Sequence, residues 1–123
     1  MVPQLDSALE RQSRERSVLD EVRLALSRSM SGERPSVDKI AKDLGMSERT
    51  LQRKLESLGA TYQGVLDEVR QKSARHLLSK TDIDPEEVAF LLGFEELNSF
   101  TRAFLGWEGT TPKQWRGAER TRH

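Results

Sequence analysis

At 123 residues the chain suits one ordinary domain or two small units sharing a core, and leaves no room for an added full-sized sensing domain. It contains no cysteine, which excludes a disulfide framework, a thiolate metal site and a cysteine nucleophile. Lys and Arg total 20 and Asp and Glu total 20, so bulk charge announces no nucleic acid. Phosphate affinity depends on local neutralisation, and it is the distribution of the bases that has to be read.

No apolar run approaches membrane-spanning length, and Met1-Val2-Pro3-Gln4-Leu5-Asp6 has neither a basic flank nor an apolar targeting core. A soluble protein of the cytoplasm, with no membrane partner, is expected. Strand-like alternation never persists, whereas short apolar patterns of helical period recur from about Val18 onward, broken by Gly, Pro and Ser. The fold class expected is all-α.

Residues 1–17 hold Leu5 and Leu9 at helical spacing and then a polar run, and read as a polar leader or residual interdomain linker. A first helix is predicted from about Ser17 to Met30, with Val18, Val22, Ala25, Leu26 and Met30 on one face, stopped by Ser31-Gly32-Glu33-Arg34-Pro35. Ser36 is placed as the N-cap of a short helix carrying Ile40, Ala41 and Leu44 and ending at Gly45. Ser47 caps the next, Glu48 to Leu58, whose apolar side is Leu51, Leu55 and Leu58. The joint Gly45-Met46-Ser47 has the length and the leading glycine of a helix-turn-helix.

Thr61 then caps a longer helix, Tyr62 to about Lys80, with Tyr62, Leu66, Val69, Ala74, Leu77 and Leu78 facing inward. At 1.5 Å per residue it spans roughly 28 Å. Asp84-Pro85-Glu86-Glu87 supplies a capping carboxylate, a proline at the first helical position and a glutamate at the third, and leads into Val88, Ala89, Leu91 and Leu92 before Gly93. A further helix after Glu95-Glu96-Leu97 turns Phe100, Ala103 and Phe104 inward, and Thr111-Pro112-Lys113-Gln114 starts the last, which brings in Trp115. This divides the chain into a first helix-turn-helix unit over 18–60, a linker helix over 61–80, a second unit over 81–116 and a polar tail over 117–123.

Ile40-Ala41-Lys42-Asp43-Leu44-Gly45-Met46-Ser47 matches Val88-Ala89-Phe90-Leu91-Leu92-Gly93-Phe94-Glu95 position by position, at an offset of 48 residues. The small Ala permits a steep helix crossing, and the Gly permits a positive φ at the turn. Two copies separated by a helix of this length suit B-form DNA, which presents the same groove again every 34–36 Å or about one turn. A monomer could therefore engage adjacent major grooves.

Off the apolar side of the first reading helix lie Arg49, Thr50, Gln52, Arg53, Lys54 and Glu56. Arg bridges the two acceptors of guanine and Gln pairs with adenine, so Gln52 and Arg53 form an apt reading pair; the plain alternative is a solvated face with Arg53 near Glu48 or Glu56. In the second reading helix Leu97, Asn98, Ser99, Thr101 and Arg102 hold matching positions, with Asn98 suited to adenine, Arg102 to guanine or phosphate and Leu97 to a thymine methyl. Glu95 and Glu96 oppose phosphate there, so this half should grip less tightly.

Ser47, Thr61 and Thr111 serve as plain caps or as phosphate contacts, and Lys113 lies beside the last of them. Arg70, Lys72 and Arg75 either approach the DNA from the linker helix or are simply solvated. Phe94, Phe100, Phe104, Trp107 and Trp115 are read as core rather than as stacking platforms. Two histidines, His76 and His123, make no metal set, and the carboxylate pairs Glu86-Glu87 and Glu95-Glu96 belong to helix starts. Neither an enzyme nor a cofactor is expected.

With these residues in view, the sequence resembles the DNA-binding domain of the AraC/XylS family of bacterial transcription regulators. The resemblance runs over about residues 18–116, through the segments from Ser36 to Leu55 and from Val88 to Phe94, then Ser99-Phe100-Thr101-Arg102-Ala103-Phe104, Trp107, Gly109, Thr111-Pro112 and Trp115-Arg116. It implies a two-lobed domain of about seven helices that binds double-stranded promoter DNA in adjacent major grooves and activates transcription through RNA polymerase. Carried over position by position, Arg49, Gln52 and Arg53 would read the first groove, and Leu97, Asn98 and Arg102 would face the second. Leu105-Gly106 stand where the family normally carries basic residues, so weaker backbone contacts and a weakened helix end are expected there. Most members also have an N-terminal domain that senses a small molecule or dimerises; without one, the isolated domain is expected to be monomeric. The rival expectation is a helical protein-interaction module that has lost productive DNA contact.

Overall fold

In a computed structural model the described residues are 18–30 and 36–122, and every regular element among them is a helix. The leader expected over 1–17 and the expected stop at 31–35 lie outside the described residues. Residues 18–28 form α1, and the chain turns at Ser29 and Met30, where the Ser29 hydroxyl donates to the Ala25 carbonyl. There follow α2 (Val37–Asp43), α3 (Glu48–Ser57), α4 (Tyr62–Lys80), α5 (Pro85–Leu91), α6 (Leu97–Glu108) and α7 (Pro112–Arg122).

Helix starts are fixed by local chemistry. The hydroxyls of Ser36, Ser47 and Thr61 accept from the backbone N–H groups of Lys39, Thr50 and Gly64. At α7 the exchange is reciprocal: Thr111 Oγ1 accepts from Gln114 N at 3.1 Å, and Thr111 N donates to Gln114 Oε1 at 3.3 Å. Asp84 departs from expectation. It occupies the N-cap position of α5, yet its carboxylate makes no cap hydrogen bond. Pro85 has removed one donor from that first turn, and exposed Asp84, Glu86 and Glu87 retain a favourable interaction with the helix dipole.

Two clusters of buried apolar side chains form, and α4 contributes to both. The first joins Val22 and Leu26 of α1, Ile40 and Ala41 of α2, Leu51 and Leu55 of α3, and Val65, Leu66 and Val69 from the first half of α4. The second joins Ala74 and Leu78 from the second half of α4 to Val88, Ala89, Leu92, Phe100 and Phe104. Met30 packs against both. Each fully buried Leu or Phe contributes about 1.5–3 kcal/mol by leaving water.

The second cluster adds directed aromatic contacts. The Phe104 ring meets Phe100, Trp107 and Trp115 edge-on at centroid distances of 5.7, 6.3 and 5.8 Å. The five aromatic residues read as core therefore belong to one cluster or its border. Leu58, expected inside, is the half-buried C-cap of α3, and α7 carries the polar residues beyond 116 onward as helix to Arg122. Among the described residues no helix is long and apolar enough to cross a membrane.

Candidate nucleic-acid interface

The repeated motif folds twice into the same joint. At the end of α2, Met46 N donates to Ala41 O at 3.0 Å and Gly45 N to Lys42 O at 3.0 Å. At the end of α5, Phe94 N donates to Ala89 O and Gly93 N to Phe90 O, again at 3.0 Å. These paired bonds close a helix only when the residue after the C-cap is left-handed, and Gly45 and Gly93 have φ of 72° and 84°. A Cβ on Gly45 would meet nothing within 4 Å, so at that position the glycine is required by its φ rather than by space.

Beyond the first joint, α3 buries Leu51 and Leu55 and turns the rest outward: Arg49, Thr50, Gln52, Arg53 and Lys54 are all exposed. Gln52 makes a long hydrogen bond of 3.5 Å to Glu48 Oε1, one turn earlier on the same helix. Ser47 and Thr50 engage each other, since Ser47 Oγ accepts from Thr50 N at 3.2 Å and donates to Thr50 Oγ1 at 2.9 Å. Thr61, exposed and capping α4, shares a surface hollow with Gln52.

Beyond the second joint, α6 buries Phe100 and Phe104. Leu97, Asn98 and Arg102 are exposed, whereas Ser99 and Thr101 are half-buried. Leu105 is 41% exposed and continues an outward line from Leu97, which is 37% exposed, through Thr101 at four-residue spacing. Gly106 does not break the helix, which runs to Glu108 and closes at Gly109 with φ 77°. Thr111 is half-buried at its cap, and Lys113, two residues on, is exposed. The site residues expected from the sequence thus lie on two helices and three helix starts.

Arg70 corrects the expectation of a solvated or DNA-facing side chain. It is 5% exposed, its Nε donates to Leu92 O at 2.9 Å and its Nη2 to Gly93 O at 3.1 Å, and its guanidinium carbon lies 4.2 Å from the Phe94 ring centroid. It supplies donors to carbonyls that the end of α5 leaves without helical partners, and stacks its cation on the aromatic residue of the turn. Arg75, half-exposed, pairs with Glu108 at the end of α6, while Lys72 is exposed.

Glu108 had no sequence signal. Its carboxylate accepts from Gln71 Nε2 at 2.7 Å and from Arg75 Nε and Nη2 at 3.0 and 2.8 Å, with the side chain 8% exposed. Burial opposes its ionisation, but the hydrogen bonds from Arg75 and Gln71 and the charge of Arg75 outweigh burial and hold its pKa below the ordinary carboxylate value. Arg116 likewise fastens α7 to the end of α4, donating to Leu78 O at 2.8 Å and Ile83 O at 2.6 Å. All these partners lie more than 30 residues apart in sequence, beyond the reach of helical periodicity.

Against known proteins, a family model described as a helix-turn-helix domain matches residues 40–118. The ornithine utilization regulator of Pseudomonas aeruginosa is 44% identical over 96 residues, which are 78% of this chain and 28% of that protein; the chain therefore spans under a third of that relative. The DNA-binding domain of AdpA, solved in complex with a target DNA, superposes with TM-score 0.71 at 30% identity, over 86% of this chain and 95% of that one. A regulator from Chromobacterium violaceum described as having an AraC-type DNA-binding domain superposes with TM-score 0.74 at 26% identity, over 87% and 96%. The chain belongs to the AraC-type helix-turn-helix family of DNA-binding transcription regulators.

Proposed function

We propose that this chain binds promoter DNA as a monomer, with α3 in one major groove and α6 in the next along the same face, and that it activates transcription through RNA polymerase in the bacterial cytoplasm. The observation carrying this reading is the doubled motif: Ala41 to Met46 and Ala89 to Phe94 repeat one sequence pattern in turns of the same hydrogen-bonded form, each followed by a helix with an exposed arginine, Arg53 and Arg102. In this reading residues 18–60 and 81–116 are the two DNA-facing units and residues 61–80 space them.

Arg49, Gln52 and Arg53 read base edges in the first groove, Arg toward guanine and Gln toward adenine. Leu97, Asn98 and Arg102 read the second, with Leu97 against a thymine methyl. Ser47, Thr50, Lys54, Thr61, Ser99, Thr101, Thr111 and Lys113 are the backbone contacts, the capping residues at helix starts where N–H groups favour phosphate. AdpA, similar in fold and 30% identical, has been solved with its target DNA, which supports DNA binding by a domain of this fold.

The test is a binding titration at several salt concentrations on duplex selected from a random pool, against scrambled duplex. A preference for the selected duplex of roughly 10³-fold or more is expected. Equal, weak binding to both at moderate salt would overturn the proposal.

A further inference from the structure

We infer that Glu108, held by Gln71 and Arg75, is a positioning residue that sets the direction of α6 relative to α3, and through it the reading of the second half-site. The backbone of Gly106 is helical, and a Cβ there would meet nothing within 4 Å, so neither its conformation nor packing inside the chain calls for glycine. A glycine in a helix interior destabilises the helix relative to Ala and loosens the segment. The end of α6 is therefore intrinsically soft, at the stretch where Leu105 also stands exposed.

Two residues further on, Glu108 ties that soft end to α4. The carboxylate takes three hydrogen bonds of 2.7–3.0 Å from side chains one helical turn apart on α4, so both its position and its direction are determined. The pair is shielded on the Glu108 side, 8% exposed, which makes it stronger than a surface ion pair and costly to halve. The other end of α6 starts from the joint held by Arg70, which also belongs to α4. One helix thus fixes both ends of α6. The first unit meets α4 through Val65, Leu66 and Val69 and through Arg23–Glu68 at 3.3 Å, a pair with both side chains more than a third exposed.

This inference has one arm that rests on the two-groove reading and one that does not. Because the chain has no cysteine, spin labels can be placed at Gln52→Cys and Asn98→Cys without background, and their separation measured in the free protein. The parent protein should give one narrow distance distribution. Glu108→Ala should broaden or displace it with helicity retained; Arg75→Met, which keeps the aliphatic stem, should do the same, and the double variant should be no worse than either. Unchanged distributions in both single variants, or additive changes in the double, would overturn the inference.

On DNA, both variants should lose fivefold or more in affinity, roughly, for a duplex with both half-sites and match the parent when the second half-site is scrambled. An equal loss on both duplexes would assign the pair to general stability and overturn the positioning role. If the unaltered protein fails to distinguish the two duplexes, the two-groove reading fails and the distance measurement alone decides on Glu108.

Discussion

The first and second turn-and-helix units close with the same backbone hydrogen bonds, yet their second helices offer different chemistry. Helix α3 exposes Arg49, Gln52, Arg53 and Lys54, while α6 exposes Leu97, Asn98, Arg102 and Leu105 and is preceded by exposed Glu95 and Glu96. The supports differ in the opposite sense: α6 is held by an aromatic cluster and by the buried or shielded groups Arg70 and Glu108, whereas α3 rests on an aliphatic core. One joint geometry can thus carry two balances of the same requirements. The unit with more cations can draw affinity from phosphate attraction, and the unit with fewer has more of its placement built into the fold.

The greatest loss of stability is expected in the aromatic cluster. Phe104→Ala should cost about 3–5 kcal/mol in urea unfolding, since it removes a fully buried ring and three edge contacts. Replacing Leu55 of the first core by Ala should cost about 2–5 kcal/mol, less than Phe104 if the aliphatic side relaxes better.

Arg70→Met should cost about 2–4 kcal/mol, because it keeps the stem but leaves the Leu92 and Gly93 carbonyls short of a buried donor. Amide exchange at Phe94 and Glu95 should accelerate with it. If stability and exchange match the parent protein, the joint does not depend on the guanidinium.

Three smaller effects concern DNA. Arg53→Ala should cost about 1–3 kcal/mol of binding free energy and relax preference at one base position, and Lys54→Ala should weaken binding across sequences while reducing the salt slope by about 1. Arg102→Ala should reduce discrimination in the second half-site, and a comparable loss from Arg53 and Arg102 would mean that the two units contribute equally to affinity.

The smallest effect is in acid. The Glu108 pKa is depressed on folding, so its contribution is fully present above the ordinary carboxylate range and is lost as the pH falls through its lowered folded value. Glu108→Gln should therefore lower the urea midpoint at neutral pH, where that contribution is fully present, and flatten the acid limb, so that the two proteins converge as the pH falls through the lowered value.

Much of this molecule could be read from one sequence because its determinants are local. Ser36, Ser47, Thr61 and Thr111 cap helices through bonds to residues three positions on, and Gly45 and Gly93 end helices through their own φ. The apolar spacing of Leu51 with Leu55 and of Phe100 with Phe104 likewise announces a buried face. What escaped was non-local and polar. Nothing near Arg70 tells that its acceptors are carbonyls more than 20 residues away, and an arginine on a helix otherwise reads as solvated. Glu108 was hidden for the same reason, since its partners Gln71 and Arg75 are adjacent to it only through the packing of α6 on α4. The exposure of Arg49, Gln52, Arg53, Leu97, Asn98 and Arg102 was legible too, as the remainder left once the apolar face is assigned.

The most direct test of two helices working along one side of a duplex is a change of phase. Into a selected two-half-site duplex, about half a helical turn of DNA, roughly 5 base pairs, is inserted between the half-sites, and affinity is compared with the original and with a duplex whose second half-site is scrambled. The insertion should lower affinity to that of the scrambled duplex and abolish protection of the second half-site while the first stays protected. Undiminished affinity with both half-sites still protected would rule out two helices acting along one side of the duplex.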